Sequence, residues 1–95
     1  MFPENRMATH PGVILLEEFL VRLGISRGAF ARHVGVPTQR INEIVRGKRG
    51  VTPETAWLFA QALGTSAEFW ANLQMAYDLS RSRPARKIER LTVAG

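Results

Sequence analysis

An all-α domain of five helices with a basic C-terminal tail is the fold this sequence predicts, and three observations predict it. Apolar residues recur at three- and four-residue spacing, with no run of β-branched alternation that would make a strand. Glycines and helix-capping residues cut the chain at intervals that leave connections of two to five residues. The chain is 95 residues long and has no cysteine, which suits one small core and leaves no disulfide or thiolate zinc site to support a second.

The first helix is expected over about residues 11–23. Pro11 fits a first turn, where its missing N–H has no partner to lose, and Gly24 fits the stop. At 100° per residue, Leu15, Leu16, Phe19, Leu20 and Leu23 form its core face, with Ile14 and Val21 off that face beside Glu17 and Glu18. Ser26 caps a short second helix whose core pair is Phe30 and Val34, and Gly35 follows it. A third helix starts near Pro37 or Thr38 and ends at Arg46. Thr52-Pro53 opens a fourth that buries Ala56, Phe59, Ala60 and Leu63 and stops at Gly64. Thr65 with Glu68 three residues on reads as a capping box for a fifth, to about Leu79. The domain organisation is then a lead over 1–10, one domain over 11–80 and a flexible basic tail over 81–95.

Thirteen Lys and Arg against eight Asp and Glu give a net charge of +5, which points to a polyanionic partner without naming one. Its distribution says more. Residues 22–50 hold seven basic residues against Glu43 alone, residues 51–80 hold three acids and no Lys or Arg, and residues 81–95 hold five bases against Glu89. The surface is patterned in blocks. The N-terminus lacks the apolar stretch of a secretory signal, and no segment reaches the about 20 apolar residues of a bilayer span, so a cytoplasmic protein is expected. His10 and His33 have no companions at ligand spacing, so neither a metal nor a cofactor is expected. Glu17 and Glu18 are adjacent and so diverge on a helix. With no phosphate-cradling glycine loop and no nucleophile constellation, no catalytic residue is assigned.

The second and third helices carry the functional pattern. Two helices meeting near a right angle across a tight turn need a small residue at the crossing, a turn residue free to take positive φ, and branched apolar residues facing inward. Ala31, Gly35, Ile41 and Ile44 stand at those places, with spacings of four, six and three. This is a helix-turn-helix. Once its inward face is fixed, Thr38, Gln39, Arg40, Asn42 and Arg46 point outward, as a row able to read base edges in the DNA major groove. There Arg pairs with guanine, and Asn or Gln with adenine. Glu43 either accepts from cytosine or pairs within the helix with Gln39 or Arg46. Phosphate contacts are expected from Ser26 and Arg27 at the start of the second helix and from Lys48 and Arg49 in the turn beyond the third.

Further segments resemble the HigA-type antitoxins, a branch of the phage-repressor-like helix-turn-helix proteins. They are His10-Pro11-Gly12, Leu16-Glu17-Glu18-Phe19, Arg40-Ile41-Asn42-Glu43-Ile44, Gly47-Lys48-Arg49, Leu63-Gly64-Thr65-Ser66, Phe69-Trp70, Asn72-Leu73-Gln74 and Tyr77-Asp78-Leu79. The resemblance covers roughly three quarters of the chain. It implies an antidote that silences a co-expressed ribonuclease toxin and, as a dimer, represses its own operon by binding double-stranded operator DNA. Gln39 stands where the family often has Arg, so no operator sequence is implied, and residues 81–95 extend past the shared region.

The fifth helix has one apolar arc of Phe69, Trp70, Leu73, Ala76 and Tyr77 and a second of Met75 and Leu79. Trp70, Met75 and Leu79 are the dimer candidates, since a two-fold dimer sets two reading helices about 34 Å apart, one turn of DNA. The alternative is a helix wrapped by its own domain and tail. Ile14 and Val21 are candidates for toxin contact, or are scattered surface residues. The tail is either a cationic arm on phosphates or, over Ile88 to Val93, a segment that folds back or pairs across the dimer. Two other functions stay open: a stand-alone transcriptional regulator without a toxin, and a protein-interaction or RNA-associated module.

Overall fold

The computed structural model describes residues 8–92. The lead before Ala8 and the last three residues, Val93 included, lie outside it. All regular structure among the described residues is helical. Helix α1 is continuous through Pro11–Ile14, a π-helical stretch Leu15–Leu20, and Val21–Leu23. It is followed by α2 (Arg27–Val34), α3 (Thr38–Val45), α4 (Pro53–Leu63) and α5 (Ala67–Arg81).

Most helix ends follow from the local chemistry of the sequence. Ser26 accepts from the Ala29 N–H at 3.1 Å and Thr52 from the Thr55 N–H at 3.2 Å, each satisfying an orphan donor of a first turn. The start of α5 differs from the expected capping box. Ser66, one residue later, is the cap and accepts from the Phe69 N–H at 3.0 Å. The Thr65 hydroxyl is engaged elsewhere, accepting from the Trp70 indole N–H at 2.7 Å. That bond satisfies the one polar atom of a fully buried Trp70, a stronger demand than an exposed cap.

The core joins Leu15 and Leu20 of α1, Phe30 and Ala31 of α2, Ile41, Ile44 and Val45 of α3, Ala56, Phe59 and Ala60 of α4, and Ala67 and Trp70 of α5. Aromatic rings run through it. Phe30 meets Phe59 at 5.5 Å between centroids, Phe59 meets Trp70 at 5.2 Å, and Trp70 meets Phe19 at 5.4 Å, so α2, α4, α5 and α1 share one ring chain.

In α1 the expected core face is rotated. Leu15 and Leu20 are both fully buried although five residues apart, about 140° on a regular helix. The π-helical i to i+5 bonding, seen in the Val21 N–H donating to the Leu16 carbonyl, stacks residues five apart and brings both leucines inward. Leu23, expected in the core, is 63% exposed. Ile14, expected off the core face, packs partly against it. Beyond α5, residues 82–92 form no helix or strand and are exposed at every position.

Candidate nucleic-acid interface

The turn between α2 and α3 has the expected geometry. Gly35 takes φ 80°, where a side chain would be strained, and both the Gly35 and Val36 N–H groups return to the Ala31 carbonyl at 2.9 and 3.0 Å. Ala31 is buried at the crossing, and Ile41 and Ile44 are fully buried beneath it. The inward face of α3 is thereby fixed. Of the five residues expected to read bases, Thr38, Gln39 and Arg46 are exposed and Arg40 and Asn42 are half-buried.

Two contacts organise that surface. The Arg27 guanidinium donates to the Asn42 side-chain oxygen at 3.5 Å, linking the start of α2 to the middle of α3. On the other flank, Glu43 accepts from the Gln39 amide at 3.3 Å and from Arg49 Nε at 2.8 Å. Glu43 therefore pairs with Gln39 as one reading of the sequence had it, while its cationic partner is Arg49 rather than Arg46. The Arg49 hydrogen bond is the main cause holding the Glu43 carboxyl below its usual range, against some desolvation and with smaller help from Gln39 and Lys48. Pro37, Gln39, Arg40, Glu43 and Arg49 line one shallow depression. Lys48 and Arg49 are exposed in a turn closed by the Lys48 N–H on the Glu43 carbonyl at 2.8 Å, and Ser26 is exposed at the start of α2.

Three residues that support this surface had no assigned role. A Cβ at Gly12 would be driven into the Ile44 carbonyl, so α1 and α3 touch backbone to backbone there. His10 caps α1, its Nδ1 accepting from the Gly12 N–H at 2.9 Å, with its ring edge-on to Tyr77 of α5 at 4.7 Å. Burial pushes the His10 pKa down, opposed by the nearby Asp78 charge. Gln74 of α5 accepts from the Val51 N–H at 2.7 Å, just past the basic turn. A glycine in the first turn of a helix was the available signal for the first, since it disfavours a helix unless close approach requires it.

The dimer candidates divide. Met75 and Leu79 are 59% and 66% exposed, one turn apart on α5, whereas Trp70 is fully buried in its own core and offers nothing to a second copy. Of the toxin-contact candidates, Val21 is exposed and Ile14 is half-buried against the core. Among the described residues no helix is long and apolar enough to cross a membrane, and no group of three His, Cys, Asp or Glu could hold a metal ion.

Comparison with known proteins agrees with this geometry. Residues 16–70 match the family model described as helix-turn-helix. Virulence-associated protein I of Dichelobacter nodosus is 49% identical over 77 residues, covering 80% of this chain and 71% of that protein. Antitoxin HigA-1 of Vibrio cholerae is 40% identical over 80 residues, 83% of this chain and 74% of the antitoxin. The crystal structure of PA4674 of Pseudomonas aeruginosa in complex with its 18-bp operator DNA superposes with a TM-score of 0.84 at 39% identity, covering 90% of this chain and all of that one. The chain belongs to the helix-turn-helix family of non-enzymatic DNA-binding regulators, in the branch of the HigA-type antitoxins.

Proposed function

We propose that this protein binds the operator of its own operon as a homodimer and silences a ribonuclease toxin made alongside it in the cytoplasm. The observation that carries the DNA half is the outward face of α3. Five groups able to pair with base edges lie on α3 at least partly exposed, with Arg27 beside its middle and Lys48 and Arg49 in the turn beyond its end. In this reading Thr38, Gln39, Arg40, Asn42 and Arg46 contact bases, and Ser26, Arg27, Lys48 and Arg49 contact phosphates. Met75 and Leu79 form the seam between two copies, and Val21 stands on the surface offered to the toxin.

The toxin half rests on the likeness to HigA-1. Copurification of the chain with the product of the adjacent gene, followed by a gel shift on their shared promoter, tests both halves. A retained ribonuclease and a shifted promoter are expected. A shifted promoter without a retained partner would favour a stand-alone regulator, and no shift at all would remove the DNA reading.

A further inference from the structure

Glu43 is the single acid among residues 22–50, and it sits on the face of α3 that otherwise offers donors and cations. Its surroundings are built around it. One carboxylate oxygen accepts from the Gln39 amide and the other from Arg49 Nε, at 3.3 and 2.8 Å. Its backbone carbonyl accepts from the Lys48 and Arg49 N–H groups at 2.8 and 3.3 Å, so the basic turn is wrapped about this one residue. The Glu43 side chain is 30% exposed and Arg49 52%, so the ion pair stands where a polyanion would arrive.

Two consequences follow for DNA. A carboxylate here repels phosphate and engages Arg49, so Arg49 reaches a phosphate only where other contacts to the duplex offset the loss of that pair. The Gln39 amide, with one N–H given to Glu43, keeps its oxygen and its other N–H. Adenine offers one donor and one acceptor in the major groove and suits that remaining pair; guanine offers two acceptors and would need both N–H groups.

We propose that Glu43 is a positioning residue for operator specificity: it sets the Gln39 amide to read adenine and holds Arg49 back from non-operator DNA. This rests on the DNA reading above and adds a division of labour to it. Glu43 touches neither base nor phosphate. It weakens binding to all DNA and restores the difference only where Gln39 finds its adenine.

The test uses the full chain as wild type, Glu43→Gln, Glu43→Ala and Gln39→Ala, with selection of bound duplexes from a randomised pool and titration of a non-operator duplex at several salt concentrations. Wild type is expected to demand adenine at one position, and that demand disappears in Gln39→Ala and in Glu43→Ala while other positions keep theirs. Both Glu43 variants bind the non-operator duplex several-fold more tightly, with a salt slope steeper by about 1, the increment of one more phosphate contact. A folding defect would lower all binding, the opposite direction.

Unchanged base preference and unchanged non-operator affinity in Glu43→Ala would overturn the proposal and leave the DNA reading standing. Loss of a cytosine instead of an adenine would also overturn it, making Glu43 a direct reader. A wild type that selects no sequence would remove the proposal and the DNA reading together.

Discussion

The backbone N–H of Val51 donates to the side-chain oxygen of Gln74 at 2.7 Å, across 23 residues of sequence. The Gln74 amide nitrogen goes on to Asp78 at 2.9 Å, and the side chain lies against Gly50, so α5 grips the chain where the basic turn gives way to α4. Gln74→Ala leaves a part-buried N–H without its partner and is expected to cost about 1 to 3 kcal/mol, read as a lowered melting temperature. Gln74→Glu combined with Asp78→Asn keeps the acceptor without setting two carboxylates together, and should lose less. Equal losses in the two would show that the oxygen is not what matters.

Gly12 and Gly24 separate two reasons for a glycine. An added Cβ at Gly12 meets the Ile44 backbone, which cannot move without displacing α3, whereas at Gly24 it meets nothing within 4 Å and only φ 67° opposes it. Gly12→Ala should destabilise by about 3 kcal/mol or prevent folding, at the upper end of overpacking. Gly24→Ala should cost about 1 kcal/mol. Chemical denaturation of both variants checks the order, and the reverse order would contradict the contact between α1 and α3.

Stability should fall as pH drops through the ordinary histidine range. His10 accepts through Nδ1, which protonation abolishes, and its pKa is lowered from 6.5 by burial. Between the folded value and 6.5 the unfolded chain binds a proton that the folded chain refuses, so this stabilisation is complete above 6.5 and is lost as pH falls toward the folded value. His10→Asn retains a side-chain cap and does not titrate. Melting temperatures measured from about pH 5 to 8 should therefore slope less in the variant than in the wild type. Parallel slopes would assign the acid sensitivity to other groups.

Arg40 and Lys48 should fail in different ways. Arg40→Ala is expected to weaken operator binding by about 1 to 3 kcal/mol and to relax the preference at one base pair, with the fold unchanged. Lys48→Ala should weaken all sequences alike and reduce the salt slope by about 1. Binding isotherms on operator and non-operator duplexes distinguish them, and a sequence-dependent effect of Lys48→Ala would reverse the assignment.

Met75 and Leu79 expose an apolar stripe one turn long. In the dimer proposed above, changing both to Asp should leave the helical content unchanged, shift the sedimenting species to monomer and remove most operator affinity. A double variant that still sediments as a dimer would place the seam elsewhere.

Much of this was legible in the sequence because local chemistry decides it. Ala31, Gly35, Ile41 and Ile44 have one geometrically consistent arrangement, and the outward row of α3 follows from it. The failures lie where a distant residue sets a local choice. Thr65 looked like a cap and serves the buried indole of Trp70 instead. Trp70 looked available for a second copy because its arc was visible and the rings of Phe19 and Phe59 that enclose it were not. Arg49 carried its charge in plain view, but only the turn after α3 shows that it folds back to Glu43.

The π-helical stretch of α1 absorbs a residue without turning the second half of that helix away from the core that the first half faces. Backbone bonding to the fifth residue stores the equivalent of one extra residue between Leu15 and Leu20. Deleting one residue there would restore regular winding, set the two leucines four apart on one face, and leave everything after it on nearly its present bearing. Val21 and Leu23, the two apolar side chains displayed at its far end, would keep their outward face, and Pro11, Gly12 and the contact to Ile44 would stay in place. The wide turn is thus spare length wound into the helix, which lets α1 carry one residue more than regular winding would while its base stays locked to α3 and its tip keeps its direction.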